Sequence, residues 1–350
     1  MSPVENHHPT LAERFRHFVP AFTAGPAPLY AHLAQSAAEE LEGSSPSLLR
    51  DVLTQWDDEP PRRFLPLRLL AVVHRWVLAG ELPALASHYR SVGGIRPPEG
   101  SWPKFRAAVL ERAPELPELL GPPLQHNEPS RAAALTTGFL QVAVETGLPL
   151  RLLEVGSSAG LLLRWDHYRS TWWFQTMFET VPPLHVPVEV VERRGCDLFP
   201  IDLTIPENEV RLMSYVWADL APHVRILREA IEVCRRVPAK IDQADGAEWL
   251  AEQLSEPRPG VATVAFHSLM TASGPPASLD SMRAVMAQAA MRATRDAPLA
   301  YLRFEAPHSA VVAPAEARGL VKTTLTRWPG GDERVLVTSD VNGRHVRWLE

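Results

Sequence analysis

Through the first 150 residues the apolar positions recur at helical spacing. Leu29, Leu33, Ala37 and Leu41 mark one face of a helix over residues 29–41, and Leu69, Leu70, Val73, Val77 and Leu78 mark a denser one over residues 67–78. Phe105, Val109 and Leu110 give a third over residues 102–110. A long helix with Leu135, Phe139 and Val142 opens after Ser130, an N-cap residue type. Strand signals are nearly absent before Gly147-Leu148-Pro149. From residue 150 the pattern alternates. Strands are expected over residues 150–155, 186–191, 240–243, 261–266 and 299–304, with helices after the third (Ala247, Leu250, Leu254) and the fourth (Leu279, Met282, Met286, Ala289, Ala293). Residues 321–327 and 335–339, joined by Pro329-Gly330-Gly331-Asp332, read as a hairpin. The expected fold is α/β: a doubly wound, mostly parallel sheet of seven strands over residues 148–350, with the strand at Val335 antiparallel, and a helical cap over residues 1–147. The cap is expected to pack over the carboxyl ends of the strands.

Ligands of such a sheet bind where the strands end, at the topological switch point. The first strand runs into Glu154-Val155-Gly156-Ser157-Ser158-Ala159-Gly160, a turn of small residues that lets a ligand approach the backbone, followed by an expected helix whose N–H groups face it. Glu154 is wrong for a phosphate cradle and right for a cation, which favours S-adenosylmethionine, a carrier of an ammonium and a sulfonium. Glu192, after the second strand, is read as the partner of the ribose hydroxyls or as half of a surface ion pair. Asp245, after the third, is read as the adenine partner or a plain helix N-cap, with Gly246 leaving room for the ring. His267 and Ser268 follow the fourth.

Composition narrows the class. A net charge of -6 with no long basic run disfavours nucleic acid, and no apolar run is long enough for a membrane span. Cys196 and Cys234 fit neither a disulfide framework nor a zinc site, so a reducing cytoplasm is expected. The 34 prolines, against a usual share of about 5%, punctuate the chain between periodic segments. Asp197, Asp202, Cys196 and His267 lack tight ligand spacing, so no metal is expected. Gly156-Ser157-Ser158-Ala159-Gly160 has the outline of a hydrolase elbow, but Glu154 and its early place in the sheet fit that fold badly.

Several segments together carry a resemblance: Gln125-His126-Asn127-Glu128, Leu148-Pro149-Leu150-Arg151-Leu152-Leu153-Glu154-Val155-Gly156, Arg164-Trp165-Asp166-His167-Tyr168-Arg169, Glu192-Arg193-Arg194-Gly195-Cys196-Asp197, Ser214-Tyr215-Val216-Trp217 and Phe266-His267-Ser268. The chain resembles, from about Phe15 to Leu349, a bacterial domain family of unknown function whose C-terminal half is similar to class I methyltransferases. The resemblance implies S-adenosylmethionine held by Arg131, Glu154, Gly156, Ser157, Ser158, Gly160, Glu192, Asp245, Gly246 and Phe266, with Arg131 on its carboxylate. It implies an acceptor near Gln125, Asn127, Glu128, Trp165, Tyr168, Phe199 and Trp217, and a base at His267 or, second, Tyr215. The family pattern has Asn where this chain has Leu162 and Phe199, Thr where it has His126, and an aromatic cluster where it has small residues at 271–274. This member therefore reads either as retuned toward a small, largely apolar acceptor or as having lost the ancestral activity. Two other readings stand beside methyl transfer: another reaction or adenine-containing ligand on the same fold, and a non-catalytic binding module.

Overall fold

The computed structural model describes residues 8–125, 127–270, 276–306 and 321–349. The chain divides into two compact units. One comprises residues 1–126 and 209–225, the other residues 127–208 and 226–350.

The first unit is helical. Its helices Leu11–Ala24, Pro28–Glu42, Leu65–Leu78 and Trp102–Glu111 surround a core that includes Phe15, Phe22, Leu33, Leu69, Val73, Trp76, Tyr89 and Phe105. The segment 209–225 belongs to this core through Ala218 and Trp217. Asp219 ties it in. Ala27, before the helix Pro28–Glu42, has no side-chain cap, and the Asp219 carboxylate takes the N–H groups of Leu29 and Tyr30 at 3.0 and 3.3 Å. A helix N-terminus leaves such donors unpaired and favours an anion beside them.

Among the described residues the second unit has an eight-stranded sheet of order β3-β2-β1-β4-β5-β6-β7-β8. The strands are β1 Leu150–Val155, β2 Val190–Asp197, β3 Lys240–Gln243, β4 Ala262–Ser268, β5 Leu299–Glu305, β6 Val321–Trp328, β7 Asp332–Ser339 and β8 Arg347–Trp348. The pairs among β1 to β5 are parallel and those from β5 to β8 antiparallel. Two expectations change. The sheet gains the short β8, and the reversed hairpin strand is β6, so β7 at Val335 runs in the direction of β5.

Each face carries its own helices. Arg131–Thr146 covers one, where Phe139 stacks on Trp165 at 4.8 Å and meets Phe266 edge-on at 5.1 Å. This helix sits against the sheet because Gly138 has no side chain; a Cβ there would overlap Leu302 of β5. It therefore belongs to the sheet unit, whose N-terminal limit is residue 127 and not 148. Gly246–Gln253 and Pro276–Ala290 cover the other face, over Leu153, Val155, Ala265 and Tyr301. No helix among the described residues is long and apolar enough to cross a membrane.

Candidate functional site

The order β3-β2-β1-β4-β5 reverses direction between β1 and β4, which makes the carboxyl ends of these two strands the crevice of the sheet. Two non-glycine residues sit in the left-handed region on the loops that leave them, Ser158 at φ 50° and Leu269 at φ 52°. Backbone strain of this kind concentrates at functional sites.

The turn after β1 is bound tightly to β2. Gly156 and Ser157 both donate their N–H groups to the Cys196 carbonyl, at 2.9 and 3.0 Å. Ser158 donates its own to Asp197 at 2.9 Å, and the Asn127 side chain donates to the Ser157 carbonyl at 3.1 Å. Gly195 has no Cβ, which lets the Ser157 side chain lie against β2. Gly156 and Gly160 both have positive φ, 71° and 70°. The sequence led us to expect a helix opening behind this turn; the chain instead makes a 3-10 turn, Leu162–Arg164, and a single helical turn, Trp165–Tyr168. The amides of Gly156, Ser157 and Ser158 thus point into the sheet, not toward a ligand.

Behind the turn lies a buried carboxyl. Glu154 is 2% exposed, and burial pushes its carboxyl well above the usual range, with Asp197 adding to the shift and Arg164 and Arg131 opposing it. Among the described residues its Oε2 has no hydrogen-bond partner, and neither has the buried hydroxyl of Ser158. Arg131, also buried, donates Nε to the Val341 carbonyl at 3.1 Å. Burial lowers its pKa to about 10, against the pull of Glu128, Glu305, Asp340 and Glu154. Glu128 is buried too and accepts from the Ser130 N–H and hydroxyl. That hydroxyl therefore does not cap the helix Arg131–Thr146 as its residue type implies.

His267, at the end of β4, is 2% exposed. Its Nδ1 lies 2.8 Å from Oε1 of Glu305, and its Nε2 lies 2.9 Å from the Tyr301 hydroxyl. Burial pushes the Tyr301 phenol up to about 12. Sequence reasoning found His267 and missed both partners. β4 and β5 pair in register with His267 opposite Arg303. Residues two before and two after Arg303 share its face of the sheet, so Tyr301 and Glu305 bracket the imidazole. Only the register reveals this.

Other expected residues fall elsewhere. β2 begins at Val190 and ends at Asp197, not over residues 186–191. Glu192 is therefore in its amino-terminal half, opposite Arg151, paired with Arg151 at 3.0 Å and Arg258 at 2.6 Å. The carboxylate at the strand end is Asp197. Trp165 and Tyr168 are fully buried in the core, and the Tyr168 hydroxyl donates to the Leu161 carbonyl at 2.8 Å. Phe266 is core as well, against Phe139. Asp245 caps the helix Gly246–Gln253 through Oδ1. A Cβ on Gly246 would overlap Val155, so that glycine serves helix-to-strand packing, not room for a ring. Leu162 is buried and Phe199 is 49% exposed, near in sequence to the exposed Leu198 and Ile205. Gln125, Tyr215 and Trp217 belong to the helical unit. There Tyr215 accepts from Arg211 at 3.0 Å and Trp217 packs edge-on against Phe22. His126 and residues 271–274 lie outside the described residues.

A family of bacterial proteins, described as "Uncharacterized protein conserved in bacteria (DUF2332)", matches residues 12–348. The chain belongs to this family. No curated protein and no solved structure matches it. For this DUF2332 member the site must therefore be argued from its own residues. Among those described, no group of three or more His, Cys, Asp and Glu side chains is arranged to hold a metal ion.

Proposed function

We propose that this DUF2332 protein is an S-adenosylmethionine-dependent transferase acting on a small, largely apolar metabolite. The observation that carries the reading is Glu154, a buried carboxyl at the end of β1 with an oxygen that no described residue partners. Leaving such a group unpaired costs about 1–3 kcal/mol or more, and a bound ammonium would satisfy it. Arg131 stands within electrostatic reach of Glu154, so an amino-acid end, ammonium to Glu154 and carboxylate to Arg131, matches the charges present. Asp197 takes over from Glu192 as the carboxylate nearest a ribose, and Asp245 remains at the end of β3 for the base. The turn argues against a pyrophosphate ligand, because its amides are spent on Cys196 and Asp197.

When bound, the cofactor supplies an electrophilic methyl group. The chain then needs to hold the nucleophile in line and exclude water. The exposed Leu198, Phe199 and Ile205 after β2 support an apolar acceptor.

Native mass spectrometry of the purified full chain tests this, together with thermal melts in S-adenosylhomocysteine. The reading expects a co-purified adenosyl ligand, or a melting transition that rises with ligand concentration. No bound mass and no shift at millimolar ligand would refute it.

A further inference from the structure

We propose that Lys104, in the helical unit, is an acylation site whose amine is activated by His88 and takes an activated acyl group from an acyl phosphate or a thioester. The chain draws its positive charge from arginine: of its 35 Lys and Arg residues only Lys104, Lys240 and Lys322 are lysine. Lys240 pairs with Asp242 at 3.1 Å. Lys104 meets no carboxylate among the described residues; its Nζ lies 3.0 Å from Nε2 of His88 instead. His88 is buried, and its Nδ1 lies 2.6 Å from the Pro97 carbonyl. A carbonyl only accepts, so Nδ1 carries a proton and Nε2 faces the amine. An ammonium against an imidazolium would set two cations 3.0 Å apart with no anion to offset them. One proton therefore lies between Nζ and Nε2.

The local backbone holds this pair in place. Gly94 and Arg96 donate their N–H groups to the carbonyls of Tyr89 and Ser87, both at 2.9 Å. A Cβ on Gly94 would overlap the Ala86 carbonyl oxygen, so the loop lies against the chain just before His88. Pro97 and Pro98 then fix φ where the loop delivers its carbonyl to Nδ1. Lys104 is the third residue of the helix Trp102–Glu111, whose first turn has no acidic residue. The positive end of a helix disfavours a cation, and the imidazole is the acceptor at hand for the proton. Lys104 is half-buried and His88 buried, which leaves the amine as the group a small reagent reaches. An amine attacks only with its electron pair free, and an adjacent base frees it. In the reaction one Nζ proton passes to Nε2 of His88. The freed pair forms the new N–C bond to the acyl carbon. The acyl–oxygen or acyl–sulfur bond breaks, its electrons stay on the departing phosphate or thiolate, and that group takes the second Nζ proton. His88 returns its proton to water.

The test incubates the full chain with acetyl phosphate and, separately, with acetyl-coenzyme A, and follows the initial rate at each lysine by peptide mass spectrometry. Lys240 and Lys322 are the internal controls. Both are exposed, so exposure alone would rank them ahead of Lys104. Lys104 is expected to be acetylated about 10- to 100-fold faster than either, the scale of help from a positioned base, and the donor that achieves this identifies the leaving group. In His88→Gln an amide that is not a base replaces the imidazole. This variant is expected to bring Lys104 down to the rate of the other two and leave theirs unchanged. Lys104 reacting no faster than Lys240 and Lys322 with both donors overturns the proposal, and so does an undiminished Lys104 rate in folded His88→Gln. The ranking of the three lysines in the wild type needs no variant and judges the proposal by itself should His88→Gln fail to fold.

Discussion

Oδ2 of Asp197 accepts the Ser158 N–H at 2.9 Å, while Oδ1 of the same carboxylate accepts the N–H of Phe199 at 2.8 Å. One side chain at the end of β2 thus fixes the turn after β1 and the start of its own loop. Asp197→Ala should cost about 1–3 kcal/mol, since hydrogen bonds to a charged group are lost and their donors left unpaired. Asp197→Asn, which keeps one acceptor oxygen, should lose less. Urea denaturation of the three proteins checks the order.

Gly246 and Gly138 bring helices to the two faces of the sheet, against Val155 and Leu302. Neither has positive φ, so the backbone tolerates alanine and the loss is purely steric. Gly246→Ala and Gly138→Ala should each destabilise by about 1–3 kcal/mol. A Gly246→Ala protein as stable as wild type would reopen the reading of this glycine as space for a ring.

How much of this was legible in the chain depended on which contacts set each element. β1 and β3 match their expected limits, and β4, β5 and β6 were found within two residues, β1, β4 and β5 because their apolar runs are buried; β7 starts three residues early, because Asp332, read as part of the turn, already pairs with Arg327. β2 was displaced because its first half is Val190-Val191-Glu192-Arg193-Arg194, a charged run that does not read as strand. It is one because Arg151 pairs with Glu192 and Arg194 with Asp242 from the neighbouring strands. The helix Leu11–Ala24 was not anticipated, although Thr10 and Glu13 form a capping box at its start. The share of residues 209–225 in the helical unit depends on contacts such as Asp219 to Leu29, distant in sequence. At the site, Glu154, Asp245 and His267 stood out by position. Glu305 and Tyr301 did not, since their meaning rests on strand register.

His74 supplies a pH dependence for the helical unit. It is fully buried, its Nε2 2.8 Å from the Ser91 hydroxyl and its Nδ1 3.1 Å from the Ser214 carbonyl. Burial lowers its pKa to about 4, with the backbone bonds to Ser214 and Val216 opposing the shift. The unfolded chain, with an ordinary value near 6.5, binds the proton more readily. Stability is therefore complete above about pH 6.5 and falls as the pH drops toward 4, by on the order of 3 kcal/mol. His74→Asn should flatten that slope between pH 6.5 and 4 in denaturant titrations. An unchanged slope would assign it to other groups.

The central claim is that Glu154 waits for a cationic ligand. Its folded pKa is raised, so the stability it supplies is present below about pH 4 and is lost as the pH rises through that raised value. Glu154→Gln removes the buried acid at similar volume. It should leave the ligand-free protein at least as stable as wild type at pH 7.5, in keeping with the strain often stored at binding sites. Isothermal titration of both folded proteins with S-adenosylhomocysteine at pH 7.5 is the most direct measurement. The account predicts saturable binding by the wild type and about 10- to 100-fold weaker binding by Glu154→Gln, the scale of one charged hydrogen bond. Equal affinity in the two proteins, or no binding by the wild type, would contradict it.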